Sequence, residues 1–258
     1  MSKFITLYSS SSGNCSFLGE GNSGILIDAG VSCKRICEAL SSNEISPERI
    51  EGILITHIHS DHIKGLLNFT KKFHTPVYAG IETARYLCKS GSLSTESALN
   101  IFSTDSFCVG DYEITPFETL HDTAESFGFR IKNPQSKILA SCTDLGEVTQ
   151  TVHKNLLGAD VCFIEANYDE VMLKNGSYPY PLKQRIRSDH GHLSNTDSAK
   201  EIEELIKNGT RQIILGHLSR ENNTPFVAQK TVCARLCEFP DIKVTVAPDA
   251  EPGKAVFL

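Results

Sequence analysis

Three histidines and an aspartate lie close together near the first quarter of the chain, at His57, His59, Asp61 and His62. Neutral imidazole and carboxylate are natural ligands of zinc and similar divalent ions. Four such groups packed this tightly can serve two ions rather than one. An apolar run over residues 50–55 precedes the cluster, and residues 63–73, which have helical spacing, follow it and are predicted to form a helix. The cluster is therefore predicted to lie on a loop at the end of a strand. The pattern therefore predicts a metal site.

Three further residues with ligand-type side chains follow apolar runs that are predicted strands: His121, Asp144 and His217. Taken singly, each is weak evidence, because a lone histidine after a strand is more often a surface or packing residue. Together with the first cluster they are stronger evidence, because all of these residues would lie at one edge of a sandwich of two sheets. We therefore count them among the predicted metal ligands.

A glutamate and a histidine downstream suggest proton transfer. Glu165 ends a buried-looking strand, and His192 precedes a predicted helix. Such a pair can donate a proton to a departing oxyanion. Two other interpretations stay open, namely that Glu165 pairs with a neighbouring cation and that His192 caps the helix. His190 is two residues away and can equally be an ordinary loop residue.

The alternation of strand-like and helix-like segments predicts the fold class. Short strands with turns fill the first 56 residues, and strands and helices recur through the second half. No linker divides the chain, so we predict one α/β domain over residues 1–258 with two sheets between helices. The clearest helix is Ser194–Lys207, which is amphipathic. Residues 175–189 are the longest irregular stretch and are predicted to be a flexible insertion.

The charge of the chain constrains its partners. The formal net charge is −6, whereas proteins that coat nucleic acid non-specifically are usually basic. Any contact with nucleic acid must therefore come from a local patch. One candidate combines cations with neighbouring aromatic residues: Lys183, Arg185 and Arg187 beside Tyr178 and Tyr180. A solvated loop with ordinary surface charge explains these residues equally well.

Other features bear on substrate contact and location. Ser12 and Asn14 lie in a serine-rich loop that either approaches a substrate phosphate or simply forms a turn. No apolar run approaches the ~20 residues that a membrane helix needs. The nine cysteines are odd in number, and no secretory signal is visible. We therefore expect a cytoplasmic protein with no membrane partner.

The order and the growing spacing of the His and Asp residues resemble the metallo-β-lactamase fold hydrolases along essentially the whole chain. This resemblance implies an αββα four-layer sandwich with two divalent metal ions at one edge. The His and Asp ligands suit Zn²⁺, Mn²⁺ or Fe. The resemblance also implies two ligand groups that share a bridging carboxylate: His57, His59 and His121 for the first ion, Asp61, His62 and His217 for the second, and Asp144 between them.

The chemistry expected of such a centre is hydrolysis of a phosphodiester or of an acyl group, and the phosphodiester is the preferred prediction. Two ions about 3.5–4 Å apart can share a bridging hydroxide that attacks phosphorus, and they neutralise the charge that develops on the substrate. Asp61 is expected to orient that hydroxide as well as hold metal. In RNase Z-like members of the family, a Glu and a His in the order of Glu165 and His192 hold the leaving-group side of the site.

Three short segments narrow the resemblance to the YycJ/WalJ-type branch of the family: Ser10–Asn14, Gly191–Asn195 and Leu215–Ser219. That branch implies a 5′–3′ DNA exonuclease, with DNA favoured over RNA as the substrate. The chain has no room for the inserted domain of larger nuclease relatives. A small-molecule hydrolase of the same fold, such as a cyclic phosphodiesterase or a thioester hydrolase, stays open because it shares every metal ligand. A non-catalytic module is disfavoured, since it predicts missing ligands.

Overall fold

The computed structural model describes residues 1–94 and 97–258, whose strands form two seven-stranded mixed sheets. The first sheet has the strand order β14 (Val256–Phe257), β1 (Lys3–Tyr8), β2 (Cys15–Glu20), β3 (Ser23–Ile27), β4 (Ile50–Leu54), β5 (Val77–Ala79) and β6 (Leu99–Ile101). The second sheet has the strand order β13 (Lys243–Val246), β12 (Gln212–Gly216), β11 (Val161–Glu165), β10 (Ile138–Cys142), β9 (Phe127–Lys132), β8 (Tyr112–Glu118) and β7 (Phe107–Val109).

Helices flank the two sheets. The helices between strands of the first sheet are α1 (Cys33–Ser42), α2 (Ser60–Ile63), α3 (Leu66–Phe73) and α4 (Ile81–Ser90). Those of the second half are α5 (Gln150–Leu156), α6 (Glu170–Asn175), α7 (Tyr180–Ile186), α8 (Asn195–Lys207) and α9 (Pro225–Arg235). A hydroxyl caps the longest of them, because Ser194 Oγ accepts a hydrogen bond from the Asp197 amide at 3.0 Å.

Apolar side chains fill three layers, because alternate residues of a strand point to opposite faces of its sheet. In β1, Phe4 packs between the two sheets, whereas Ile5 packs against the helices outside the first sheet. In β11, Cys162 and Ile164 pack against the helices outside the second sheet. The predicted αββα sandwich of two mixed sheets between helices is therefore confirmed.

Strand direction brings the carboxyl ends of several strands to one edge of the sandwich. Strands β3 and β4 are parallel, as are β10, β11 and β12. Strand β8 runs antiparallel to β9, and β9 antiparallel to β10, so β8 ends at the same edge as β10. Residues with metal-binding or catalytic side chains that follow these strands therefore lie at the same edge of the sandwich.

Two predictions of local structure were wrong. Residues 175–189 are not an irregular insertion, because they contain helix α7. This helix buries none of its own residues, so it carries no strong apolar periodicity that the sequence could reveal. The single helix predicted over residues 63–73 is interrupted at Gly65, where a Cβ would lie 2.0 Å from the carbonyl oxygen of Val31.

In the part of the chain that the structure describes, no helix has the length and apolar character needed to cross a lipid bilayer.

Candidate metal centre

Three imidazoles form the first group of candidate ligands. His57 and His59 lie on the loop after β4, and His121 lies on the loop after β8. His59 Nδ1 is 3.1 Å from His57 Nε2 and 3.3 Å from His121 Nε2. The three nitrogens lie within 4.8 Å of one another, as the ligand atoms of one metal ion would.

The second group combines a carboxylate with two imidazoles. Asp61 and His62 lie on the short helix α2, and His217 directly follows β12. Asp61 Oδ2 is 3.5 Å from His62 Nε2 and 3.8 Å from His217 Nε2. These ligand atoms also lie within 4.8 Å of one another.

Asp144 lies between the two groups. One of its oxygens, Oδ1, is 3.7 Å from His121 Nε2 of the first group and 3.4 Å from His217 Nε2 of the second. The other, Oδ2, is 3.3 Å from His62 Nε2. The seven residues predicted as metal ligands are therefore brought together, with Asp144 where a bridging carboxylate would lie.

Hydrogen bonds on the far side of the rings fix two of these imidazoles. His62 Nδ1 is 2.7 Å from Asp28 Oδ2, and His57 Nδ1 is 3.0 Å from Thr56 Oγ1. Thr56 Oγ1 also donates to Asp28 Oδ2 at 2.9 Å. Partners of this kind engage Nδ1 and leave Nε2 as the nitrogen that would bind a metal ion. Neither Asp28 nor Thr56 was predicted as a site residue, although Asp28 follows strand β3 at the same edge as the other residues.

Glu165 fixes two more rings. Its Oε1 is 2.9 Å from His192 Nδ1 and 2.8 Å from His217 Nδ1. Its Oε2 accepts hydrogen bonds at 3.1 Å from the amides of Leu145 and Leu193. The carboxylate thus contacts imidazoles rather than a lysine or arginine. His192 does not cap helix α8, because Ser194 does so.

Asn14 lies behind Asp61 rather than in the cleft. Its Nδ2 is 3.2 Å from Asp61 Oδ2 and 3.0 Å from His62 Nε2, and its side chain is buried. The backbone N–H of Asn14 also donates a hydrogen bond to the backbone carbonyl oxygen of Asp61 at 2.8 Å. A Cβ at Gly30 would lie 1.6 Å from that same carbonyl oxygen, so only glycine permits this approach.

Burial and neighbouring charges shift the pKa values of the histidines in opposite directions. Burial lowers the pKa of His57 and of His121. At His62, burial is outweighed by Asp28 and Asp144, which raise the pKa well above its ordinary value. His57 and His121 therefore favour neutral, metal-binding imidazole, whereas carboxylates surround His62.

The carboxylates remain ionised in spite of their burial. Burial opposes ionisation of Asp144, but His217 and His62 hold its pKa well below the ordinary value. Burial likewise opposes ionisation of Asp61, and hydrogen bonds from the same two histidines lower its pKa. At Glu165 burial is again outweighed by histidines, and the pKa falls to about 2. Clustered negative charge of this kind is what divalent cations balance.

The residues present fit divalent metal ions. Two buried atoms at the centre, Asp144 Oδ2 and His217 Nε2, have no hydrogen-bond partner among the described residues. An unsatisfied buried polar atom costs about 1–3 kcal/mol, so its presence calls for a partner such as an ion. Imidazole and carboxylate ligands suit zinc, manganese and iron.

Three residues of the site have left-handed backbone conformations, which non-glycine residues adopt rarely. The φ angles are 61° at Asp28, 56° at Asp144 and 54° at His217. Each residue directly follows a strand or comes shortly after it, at the common edge of the sheets. Strained backbone of this kind persists where the surrounding structure holds it in place, and it clusters at functional sites.

A cleft opens over the metal centre. Metal-centre residues form part of its lining: His59, Asp61, His121, Asp144, His192 and His217. Other lining residues come from the serine-rich loop and from the region of helix α7: Ser11, Tyr178, Leu182, Arg185 and Ile186. In the serine-rich loop, Ser11 rather than the predicted Ser12 lines this cleft.

The three predicted cations have different surroundings. Lys183 Nζ donates to the carbonyl oxygens of Lys174 and Gly176, at 2.9 and 2.7 Å. Arg185 lines the cleft, whereas Arg187 is exposed and lies outside it. Exposed His190 lies in a neighbouring pocket, with Nδ1 3.9 Å from Asp189 Oδ1.

Asp122 is a further site residue that the sequence analysis missed. Its Oδ1 is 3.3 Å from His121 Nε2 and 3.5 Å from His59 Nε2, while Arg185 Nε donates to its Oδ2 at 2.6 Å. Burial opposes ionisation of Asp122, but Arg185 lowers its pKa. Its position immediately after His121 is the one signal that the sequence offered.

Comparisons with known proteins point to one family. A family model described as "Beta-lactamase superfamily domain" matches residues 24–218. "Exodeoxyribonuclease WalJ" of Streptococcus pneumoniae serotype 2 (strain D39 / NCTC 7466) is 38% identical over 243 residues, which cover 92% of this chain and 88% of that protein. "Exodeoxyribonuclease YycJ" of Bacillus anthracis is 36% identical over 236 residues, which cover 91% of this chain and 89% of that protein.

Solved structures agree on the fold. The Zn²⁺-bound PqqB from Methylobacterium extorquens is 18% identical with a TM-score of 0.75, over 98% of this chain and 100% of that one. The metallo-β-lactamase fold protein YhfI from Bacillus subtilis is 15% identical with a TM-score of 0.71, over 98% of each chain. At these identities the likeness concerns the fold alone. With the family match and the two relatives above, this chain belongs to the metallo-β-lactamase superfamily, in the branch that includes WalJ and YycJ.

Proposed function

We propose that this protein is a metal-dependent exodeoxyribonuclease that hydrolyses phosphodiester bonds from the 5′ end of DNA, as one domain over residues 1–258. The two relatives named exodeoxyribonuclease, at 36–38% identity over most of the chain, support this activity and favour DNA over RNA. A DNA substrate also supports a cytoplasmic location. The observation that carries the proposal is the meeting of two ligand groups at Asp144.

Two divalent ions fit this arrangement, and zinc, manganese or iron would suit its ligands. His57, His59 and His121 would hold the first ion, Asp61, His62 and His217 would hold the second, and Asp144 would contact both. When bound, such ions act as Lewis acids that stabilise negative charge on the substrate and bring the pKa of water towards neutrality.

Asp61 is suited to orient the attacking water. Its side chain is 22% exposed and lines the cleft, whereas Asp144 is buried. Asn14 contacts Asp61 Oδ2 and the Asp61 carbonyl, so the carboxylate has a fixed direction. A carboxylate oxygen held at the cleft can accept a hydrogen bond from water and align it with the phosphorus atom.

His192 is suited to protonate the departing oxygen. Its Nδ1 contacts the fully buried Glu165, so Nε2 is the nitrogen that remains for the substrate. The ring lines the cleft, where a leaving group would lie. Burial would lower the pKa of His192, but Glu165 raises it above the ordinary value. Glu165 itself has no access to the cleft and acts as a positioning residue.

The test begins with metal-stripped protein to which Mn²⁺ or Zn²⁺ is added. The substrates are 5′-phosphorylated duplex DNA, single-stranded DNA, RNA of the same sequence and the small diester bis-p-nitrophenyl phosphate. We expect metal-dependent, stepwise release of mononucleotides from DNA 5′ ends. Labelling either end of the strand separately distinguishes the two polarities.

Two outcomes would count against the proposal. Release of nucleotides from RNA at rates above those for DNA would assign the site to a ribonuclease. Turnover of bis-p-nitrophenyl phosphate without any cleavage of DNA or RNA would retain the metal chemistry and assign the protein to the small-molecule phosphodiesterases.

A further inference from the structure

An apolar surface lies in the same cleft as the metal centre. Tyr178, in the bend between α6 and α7, lines the cleft together with Leu182 and Ile186 of helix α7. Helix α7 buries none of its residues, so these side chains contribute little to the protein core. The rest of the cleft is lined largely by histidine and aspartate. Apolar groups beside these residues therefore suit a substrate that has an apolar part.

Two sets of contacts fix the position of Tyr178. Lys183 Nζ donates to the carbonyl oxygens of Lys174 and Gly176, at 2.9 and 2.7 Å, and so closes the turn that carries the tyrosine. Arg185 Nε donates to Asp122 Oδ2 at 2.6 Å and ties helix α7 to the metal centre. These contacts hold the segment that carries Tyr178 beside the metal centre, where the tyrosine lines the cleft.

We propose that Tyr178 stacks on the base of the terminal nucleotide while the adjoining phosphodiester reaches the metal centre. This inference rests on the proposed function and deepens it, because it names the nucleobase as a recognised part of the substrate. A phosphodiester needs charged and polar contacts, whereas a base offers a π-face to an aromatic ring. Since every base has such a face, stacking here accepts any sequence, as a degradative exonuclease requires. Leu182 and Ile186 pack beside the same base.

A matched control lies two residues along the chain. Tyr180 begins helix α7, is 72% exposed and does not line the cleft. Removing its ring changes the aromatic content of the same segment without changing the cleft. Tyr178→Phe supplies a second comparison, because it keeps the ring and removes only the hydroxyl.

The experiment compares two single-stranded DNA substrates that differ only in the nucleotide at the attacked end. One has an ordinary nucleotide there, and the other has an abasic tetrahydrofuran residue with the same phosphate. Initial rates are measured with Mn²⁺ for wild type, Y178A, Y178F and Y180A. We expect Y178A to lower the ratio of the base-bearing rate to the abasic rate by roughly five- to fifty-fold. Y178F and Y180A should keep the wild-type ratio within about twofold.

Other outcomes would overturn the inference. A wild-type ratio in Y178A means that the ring does not contact the base. Equal losses by Y178A on both substrates mean that the ring supports the fold or the metal centre instead. Degradation of neither substrate by wild type would overturn the proposed function, and this inference with it, whereas the first two outcomes leave the proposed function standing.

Discussion

The Nδ1 atom of His192 lies 2.9 Å from Oε1 of Glu165, a carboxylate with no solvent exposure. The same oxygen is 2.8 Å from Nδ1 of His217, a candidate metal ligand. One buried carboxylate thus orients both a candidate proton donor and a candidate ligand. The two proposed functions of the site, holding metal and protonating the leaving group, are coupled through Glu165.

Replacing His192 with alanine should separate these functions. We expect H192A to slow DNA hydrolysis by roughly two to four orders of magnitude, because the departing oxygen loses its proton donor. Turnover of bis-p-nitrophenyl phosphate should fall much less, because p-nitrophenolate leaves without protonation. Steady-state rates on the two substrates measure the difference, and metal content by elemental analysis serves as the control. Equal losses on both substrates would contradict the proton-donor role.

Replacing Asp61 with alanine should abolish turnover and leave the fold intact. The side chain is partly exposed at the cleft, so its loss removes little packing. Both the water-orienting carboxylate and one metal contact disappear, so DNA and the small diester should be affected alike. Activity assays and circular dichroism melting curves, taken together, check this expectation. Unchanged turnover would exclude Asp61 from catalysis.

Replacing Asp28 with alanine should weaken metal binding through His62. Asp28 contacts His62 Nδ1 at 2.7 Å but does not line the cleft over the metal centre. Loss of such an orienting partner typically lowers metal affinity 10- to 100-fold. Competition with a chelator measures the affinity, and D28N is the conservative comparison. Activity that returns at high Mn²⁺ concentration would support the orienting role, and wild-type affinity in D28A would refute it.

Replacing Arg185 with alanine should weaken DNA binding more than the same change at Arg187. Both substitutions remove one positive charge, but only Arg185 lines the cleft, and its loss also leaves the Asp122 carboxylate there without its cation, so that the carboxylate repels phosphate. Removing one cation that binds a phosphate lowers the slope of log affinity against log salt by about one. Fluorescence anisotropy across a salt series, with Ca²⁺ or a catalytically inactive background, gives this slope. Equal slopes for R185A and R187A would argue against phosphate binding by Arg185.

The sequence predicted which candidate ligands lie together, because their positions follow simple rules. His57 to His62 form a local cluster, and the other ligands each follow a strand whose direction delivers them to the same edge. Glu165 was paired with His192 from the sequence, but its second contact, with His217, was not predicted. Asp28 is different, since its importance depends on which imidazole it meets. Asp28 contacts a histidine 34 residues away, and no local periodicity encodes that contact.

The substrate side of the cleft was predicted less well. Lys183 was expected to meet phosphate, yet its amine is engaged by backbone carbonyls, and Asn14 supports Asp61 from behind instead of facing the cleft. Charge and residue type identify a possible contact but do not give the direction of a long or hydrogen-bonding side chain. Helix α7 was not predicted, because an exposed helix lacks the apolar periodicity by which helices are recognised in a sequence.

Helix α7 buries none of its residues, so we expect it to move more readily than the sheets while DNA is bound. The metal ligands follow strands of two packed sheets, whereas this part of the cleft wall is fastened mainly through Arg185, Lys183 and a few backbone contacts. Segments of that kind detach at a lower free energy than the sheets. Amide hydrogens of residues 180–186 should therefore exchange quickly in the free protein and slowly with a bound DNA end. Transient detachment would let a shortened strand slip forward without any loosening of the metal centre.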